Sequence, residues 1–192
     1  KEQYGEFYEE PIEQAQLEKA GKDIAAEVIT RLRARPDLAD VPIVIGLFKQ
    51  EAKNSIVPGT YFAYAVSNAG GGIGQWEAIN ERYVTFPMST PDEVYREMNT
   101  SFQNFKQDVD TYFSNFTSVF GTGFYQNNSI QSLEIEIPIQ FYGTAELIGF
   151  TQYLTGVMLN TLPANLAITV SITSVNGPEA LIKKDASSDE PF

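Results

Sequence analysis

Asn68-Ala69-Gly70-Gly71-Gly72-Ile73-Gly74-Gln75-Trp76-Glu77 is the stretch on which the fold turns. A glycine-rich run that enters a helix can hold phosphate with its amides and the helix N-terminus. The same run between two strands is a hairpin connection, where glycine supplies backbone angles closed to other residues. The spacing selects the second reading. A dinucleotide fingerprint needs G-x-G-x-x-G; Gly72-Ile73-Gly74 supplies the first pair, but Glu77 stands at the third glycine position. No Gly-Lys-Ser/Thr follows, so the run is not a P-loop. Residues 61–67, aromatic and extended, and residues 75–86 then form the two arms, with one or two helical turns over 76–83 as the alternative for the second arm.

Outward from this loop the periodicities change. Upstream, Pro11 starts a helix, and Leu17, Ala20, Ile24, Val28 and Leu32 recur at three- and four-residue steps as one apolar stripe until Pro36-Asp37 ends it. Arg31, Arg33 and Arg35 lie at its end, where positive charge complements the helix dipole. Residues 42–48 are almost wholly apolar and read as a strand buried on both faces. Residues 57–60 form a turn. Downstream, Val94, Met98, Phe102, Phe105, Val109, Phe113, Phe116 and Phe120 predict a long helix over 92–120, stopped by Gly121 and Gly123. Its phenylalanine stripe reads as a face buried on a sheet rather than a lipid groove, because the opposite face is polar. Residues 133–141 alternate as a half-buried strand, and Pro138 places it near an edge or a bulge. A helix over 144–162, a strand over 166–175 and a short last strand over 180–183 complete the order. Val41-Pro42-Ile43 and Ile137-Pro138-Ile139 form a faint internal echo.

These elements predict an α+β fold: a mixed, largely antiparallel sheet covered by about three helices, in a single domain over residues 11–184. Residues 1–10 read as the remnant of an upstream linker and residues 185–192 as a polar tail. Hairpins demand antiparallel neighbours, and the long helical crossover favours a parallel pair.

Composition removes whole classes of chemistry. The formal net charge of −12 repels nucleic-acid phosphate and anionic lipid, so neither is expected as a direct partner. With no histidine and no cysteine, a Ser-His-Asp triad, a cysteine nucleophile and thiolate metal sites are excluded within the chain. No Ser-x-x-Lys and no D-x-D-x-D-G calcium loop occur, and Asp108 and Asp110 fall on the polar side of a helix. No cofactor and no metal are expected. The carboxylates remain. Glu134 and Glu136 share one strand face and read as its solvated side. Glu77 and Glu81 lie near Trp76, on which a sugar ring can stack while carboxylates accept its hydroxyl hydrogens. Tyr61 and Tyr64 belong to the same proposed hairpin.

Residues 41–50, then Val57-Pro58-Gly59, then residues 74–87 (Gly74-Gln75-Trp76-Glu77-Ala78-Ile79-Asn80-Glu81-Arg82-Tyr83-Val84-Thr85-Phe86-Pro87) resemble the CamS family, the sex-pheromone-precursor lipoproteins of Gram-positive bacteria. The helix over 13–35 is similar too, and the resemblance spans most of residues 10–175. It implies a precursor with a lipoprotein signal peptide and a lipid-modified cysteine, and hence a domain tethered outside the membrane. It also implies that the pheromone peptide comes from the signal region. The start at Lys1, without methionine, fits a piece of such a precursor. No catalytic residue carries over.

The expected function is therefore non-enzymatic binding of an envelope glycan or a peptide by Trp76, Glu77, Glu81, Tyr61 and Tyr64, with membrane association only through the N-terminal lipid anchor. A carboxylate-dependent glycan hydrolase using Glu77 or Glu81, and a structural role in envelope assembly, are the alternatives.

Overall fold

In the computed structural model, which describes residues 12–112, 118–140, 143–188 and 191, the run over 75–86 is not one strand. It breaks at Ile79-Asn80 into β3 (Trp76–Ala78) and β4 (Glu81–Phe86), and the two join different sheets. One sheet has the order β1-β2-β3, with β1 (Ile43–Gln50) and β2 (Gly59–Ser67). The other has the order β4-β5-β6-β7-β8, with β5 (Phe120–Gln126), β6 (Ser129–Pro138), β7 (Ala167–Ser174) and β8 (Gly177–Lys184). Among the described residues three α-helices accompany them: α1 (Gln14–Arg33), α2 (Glu93–Tyr112) and α3 (Thr144–Thr161). The class is the α+β expected. The chain divides into two compact units, Lys1–Glu81 and Arg82–Phe192. The linker read into residues 1–10 lies outside the described residues.

In the first unit β2 pairs antiparallel with both β1 and β3, so the glycine loop is a hairpin connection as its spacing required. Ile43, Ile45 and Leu47 stand opposite Ser67, Ala65 and Ala63. That face meets α1 through Ala25, with Leu47 and Ala63 buried beside it. The helix does not use the stripe that its periodicity suggests. Ala25 and Ile29 are buried, whereas Ile24 is 62% and Val28 40% exposed. The apolar arc of α1 is wide, and the small side chains Gly21 and Ala25 allow closer approach than the branched ones. A Cβ at Gly21 would already touch the Leu47 methyls at 3.3 Å. Nor is β1 buried on both faces: it is an edge strand with a helix on one side, and Val44 is exposed on the other.

The second unit is two-layered. Leu133, Ile135 and Ile137 of β6 and Ile168, Val170 and Ile172 of β7 point into one core with α2 and α3. Pairing is mixed as expected: β6 and β7 are parallel through the α3 crossover, and their outer neighbours are antiparallel. Pro138 marks neither an edge nor a bulge. It is the last residue of a central strand, where a missing N–H costs little. The echo around Pro42 and Pro138 therefore falls at unlike places, before one strand and at the end of another.

The helix expected over 92–120 is described as far as Tyr112; Phe113 and Phe116 lie outside the described residues, and Phe120 opens a strand. Gly121 and Gly123 are not helix stops. They lie in β5 beneath phenylalanine rings, and a Cβ at Gly121 would come within 2.6 Å of Phe102 Cε2. Asn127 and Asn128, with φ of 51° and 64°, then turn the chain into β6. The helix is tied at its other side by Asn99, which is buried. Its Oδ1 accepts the Met88 N–H at 2.7 Å and its amide donates to the Met88 carbonyl at 3.2 Å.

Tyr125 carries a buried cost in this core. Its hydroxyl has no hydrogen-bond partner among the described residues, and its ring stands edge-on to Tyr95 at 5.0 Å. Burial, with a smaller contribution from Tyr95, pushes its pKa up to about 12. The folded state thus holds the Tyr125 proton more tightly than the unfolded chain, where a tyrosine titrates near ~10. Stability should be intact below that pH and fall as pH rises towards about 12. Tyr125→Phe should flatten that decline and raise stability at neutral pH by about 1 kcal/mol, since an unpaired buried hydroxyl is removed. Urea titrations of both proteins across the alkaline range check both effects.

Candidate functional site

The glycine loop is built around Arg33. From the end of α1 the five N–H groups of its guanidinium make seven hydrogen bonds, some of them bifurcated, to the carbonyls of Leu38, Ala39, Val41, Ser67, Asn68 and Gly71 and to the Ser67 hydroxyl, at 2.6–3.3 Å. The Ser67 hydroxyl donates in turn to Gly71. Loop amides are consumed as well: Gly70 N–H goes to Ala39, Gly71 N–H to Asn68 and Gly74 N–H to Val66. Gly70 has a φ of +68°, and a Cβ at Gly74 would sit 2.7 Å from the Val66 carbonyl oxygen. The loop therefore aims carbonyls inward at a cation and keeps these three amides occupied. A phosphate cradle needs the opposite polarity.

Strand alternation then separates the residues that the sequence places side by side. Trp76 pairs with Ala65 on the helix-facing side, against the cluster of Ala25, Leu47 and Ala63, with the Lys22 ammonium 5.8 Å from its ring centroid. Glu77 pairs with Tyr64 on the opposite side, and the Tyr64 hydroxyl donates to its carboxylate. That bond holds the Tyr64 pKa above its ordinary value. Tyr61 shares the Glu77 side. It is 47% exposed, and its ring meets that of Phe48, itself 43% exposed, at 5.1 Å and 67°. Gly46 lies under Tyr61, with a hypothetical Cβ only 3.0 Å from ring atoms, so the absence of a side chain lets the ring lie down on the sheet. Glu81 accepts the Tyr61 backbone N–H at 3.1 Å.

The structure thus brings Tyr61, Tyr64, Glu77 and Phe48 onto one open face and places Trp76 on the other. Phe48 was missed because β1 reads as buried on both sides. Its alternation with Leu47 was the available signal. Glu134 and Glu136 are exposed on β6 opposite its core-facing isoleucines, a solvated strand face. Among the described residues no group of three or more acidic residues could hold a metal ion. No helix among them is long and apolar enough to cross a membrane. None of the five residues singled out in the sequence lines the cavity between Met158 and Lys184 or the one beside Gln103 and Asp110 in the second unit.

The sequence matches the family described as CamS sex pheromone cAM373 precursor over residues 1–190. Solved structures similar to it include three sex pheromone precursors. A sex pheromone precursor from Lactobacillus salivarius subsp. salivarius UCC118 is 30% identical with a TM-score of 0.87, over 100% of this chain and 56% of that one. The C-terminal domain of the sex pheromone staph-cAM373 precursor from Staphylococcus aureus is 28% identical with a TM-score of 0.81, over 100% of this chain and 58% of that one. A further sex pheromone staph-cAM373 precursor structure is 27% identical with a TM-score of 0.60, over 94% of this chain and 64% of that one. The chain spans a little over half the length of the first two. A comparison with curated proteins finds no match. The family match covers nearly the whole sequence, and the structures agree with it in fold and in kind: the chain belongs to the CamS sex pheromone cAM373 precursor family.

Proposed function

We propose that this CamS-family domain is a non-enzymatic binding domain held outside the cytoplasmic membrane by a lipid anchor on its longer precursor, and that the open face of β1, β2 and β3 takes a neutral glycan of the cell envelope. The observation that carries the reading is the juxtaposition of two exposed rings, Phe48 and Tyr61, with the Tyr64–Glu77 pair on one flat face. A sugar stacks its C–H face on such rings, and its hydroxyls donate to the carboxylate. The net charge of −12 selects against polyanionic ligands. The placement outside the membrane rests on the resemblance to lipoprotein precursors, in which the pheromone peptide comes from the signal region.

Calorimetric titration with an N-acetylglucosamine tetramer tests the binding. Tyr61→Ala should weaken it at least tenfold, or ~1.4 kcal/mol, whereas Trp76→Phe should leave affinity within about twofold. Absence of saturable binding, or loss only in the Trp76 variant, would overturn the assignment.

A further inference from the structure

In β8 the alternation runs Ala180, Ile182, Lys184 on the core-facing side, so a lysine occupies a position where the pattern calls for an apolar residue. Lys184 is 2% exposed. Its ammonium donates to the carbonyls of Ala164, Leu166 and Asp185, the last two at 3.3 and 3.4 Å. All three acceptors are neutral. The Asp185 carboxylate is instead 3.5 Å from Lys183. Lys184 also lines a cavity of about 220 Å³ whose other walls are Met158, Leu159, Leu162, Pro163, Ala164 and Ile168.

A desolvated ammonium that meets no counter-charge among the described residues is costly. The last turn of α3 lines the same cavity, and a helix C-terminus supplies roughly half a negative charge, which offsets part of the lysine's charge and leaves the rest. The long bonds to Leu166 and Asp185 can be exchanged for a stronger acceptor. At ~30 Å³ per water the cavity holds the equivalent of about seven waters, yet its walls are mostly hydrocarbon.

From this geometry we infer that the cavity is a binding site for a small amphiphile with a carboxylate on the Lys184 ammonium and an aliphatic portion against Met158, Leu162 and Ile168. A short-chain fatty acid and the C-terminal residue of a peptide ending in leucine or isoleucine share this chemistry. The site is independent of the glycan face, since none of its residues belongs to β1, β2 or β3.

The test is titration of the intact chain, followed by isothermal calorimetry and by methionine-methyl NMR at Met158. One arm uses straight-chain carboxylates from butanoate to octanoate, each beside its primary alcohol. The other uses a short peptide ending in leucine, with a free or an amidated C-terminus. Binding should tighten ~4-fold per added methylene until the cavity is full. The alcohols and the amidated peptide should bind at least tenfold more weakly than the acids. Lys184→Gln should remove that preference. Leu159→Trp, a change at a wall residue 41% exposed, should block entry while leaving Lys184 in place. A response in only one arm identifies the source of the carboxylate. No saturable shift at Met158, equal affinity for acid and alcohol, or undiminished acid preference in Lys184→Gln would overturn the inference. If Lys184→Gln fails to fold, the acid-to-alcohol ratio and the Leu159→Trp result decide alone.

Discussion

Replacing Arg33 with methionine should destabilise the first unit by about 3–4 kcal/mol, a large effect for a half-buried side chain at a helix end. Methionine keeps the length and apolar stem, so the change isolates the guanidinium. Its seven hydrogen bonds end on oxygens from the turn after α1, the end of β2 and the glycine loop. Without the guanidinium these oxygens keep only the Ser67 hydroxyl and the Gly70 and Gly71 amides as donors, and their mutual repulsion opens the loop. Several regain water, which keeps the cost below the sum over the five N–H donors at ~1.5–3 kcal/mol each. Arg33→Lys should recover less than half of the loss, because an ammonium has three donors and no planar fork. The measurement is convenient. Trp76 is the only tryptophan and lies in the first unit, so its fluorescence in urea reports that unit. A shift under 1 kcal/mol for Arg33→Met would show that the cage is ornamental.

In the second unit, Phe102→Ala should cost about 3–5 kcal/mol, the range for deleting a fully buried ring. Phe102 has no exposure and contacts Phe86 and Phe105 at centroid distances of 5.8 and 6.1 Å. The more discriminating experiment concerns its partner. Gly121→Ala places a methyl 2.6 Å from Phe102 Cε2, and this ring, packed on every side, has nowhere to move. The expected loss is about 1–3 kcal/mol from overpacking. Phe102→Leu lacks the clashing ring atoms. In that background Gly121→Ala should cost much less, giving a coupling of at least ~1 kcal/mol between the two sites. Urea denaturation followed by far-UV circular dichroism completes the cycle. Additive losses would mean that Gly121 is retained for its backbone and not for the ring above it.

These two sites also mark where the sequence was legible. The face of α2 was readable from Met98, Phe102, Phe105 and Val109, because a three-four period over several turns has no other structural reading. The same signal overran its helix. Phe120 continues the period by coincidence, and Gly121 and Gly123 look like a helix stop when no ring is known to lie over them. Asn127-Asn128, a two-residue turn signal between extended runs, was the clue to the hairpin they belong to. In the first unit the glycine loop was correctly a hairpin connection, but Trp76 and Glu77 were grouped by proximity in sequence. On a strand, adjacent residues face opposite ways, so that grouping was the least available one. Arg33 was readable as dipole-complementing charge and no further, since its acceptors become neighbours only after β1 and β2 pair. The last strand, read over 180–183, stops one residue short of Lys184. The two-residue step from Ile182 to Lys184 pointed inward.

The proposed recognition face is the open one bearing Phe48, Tyr61, Tyr64 and Glu77, with Trp76 packed on the opposite side. Backbone and aromatic NMR during titration with the N-acetylglucosamine tetramer tests it most directly. Saturable shifts should concentrate at Phe48, Tyr61, Tyr64 and Glu77, with the Trp76 indole N–H unmoved. Shifts centred on the Trp76 indole and α1, or no saturable shifts on that face, would contradict it.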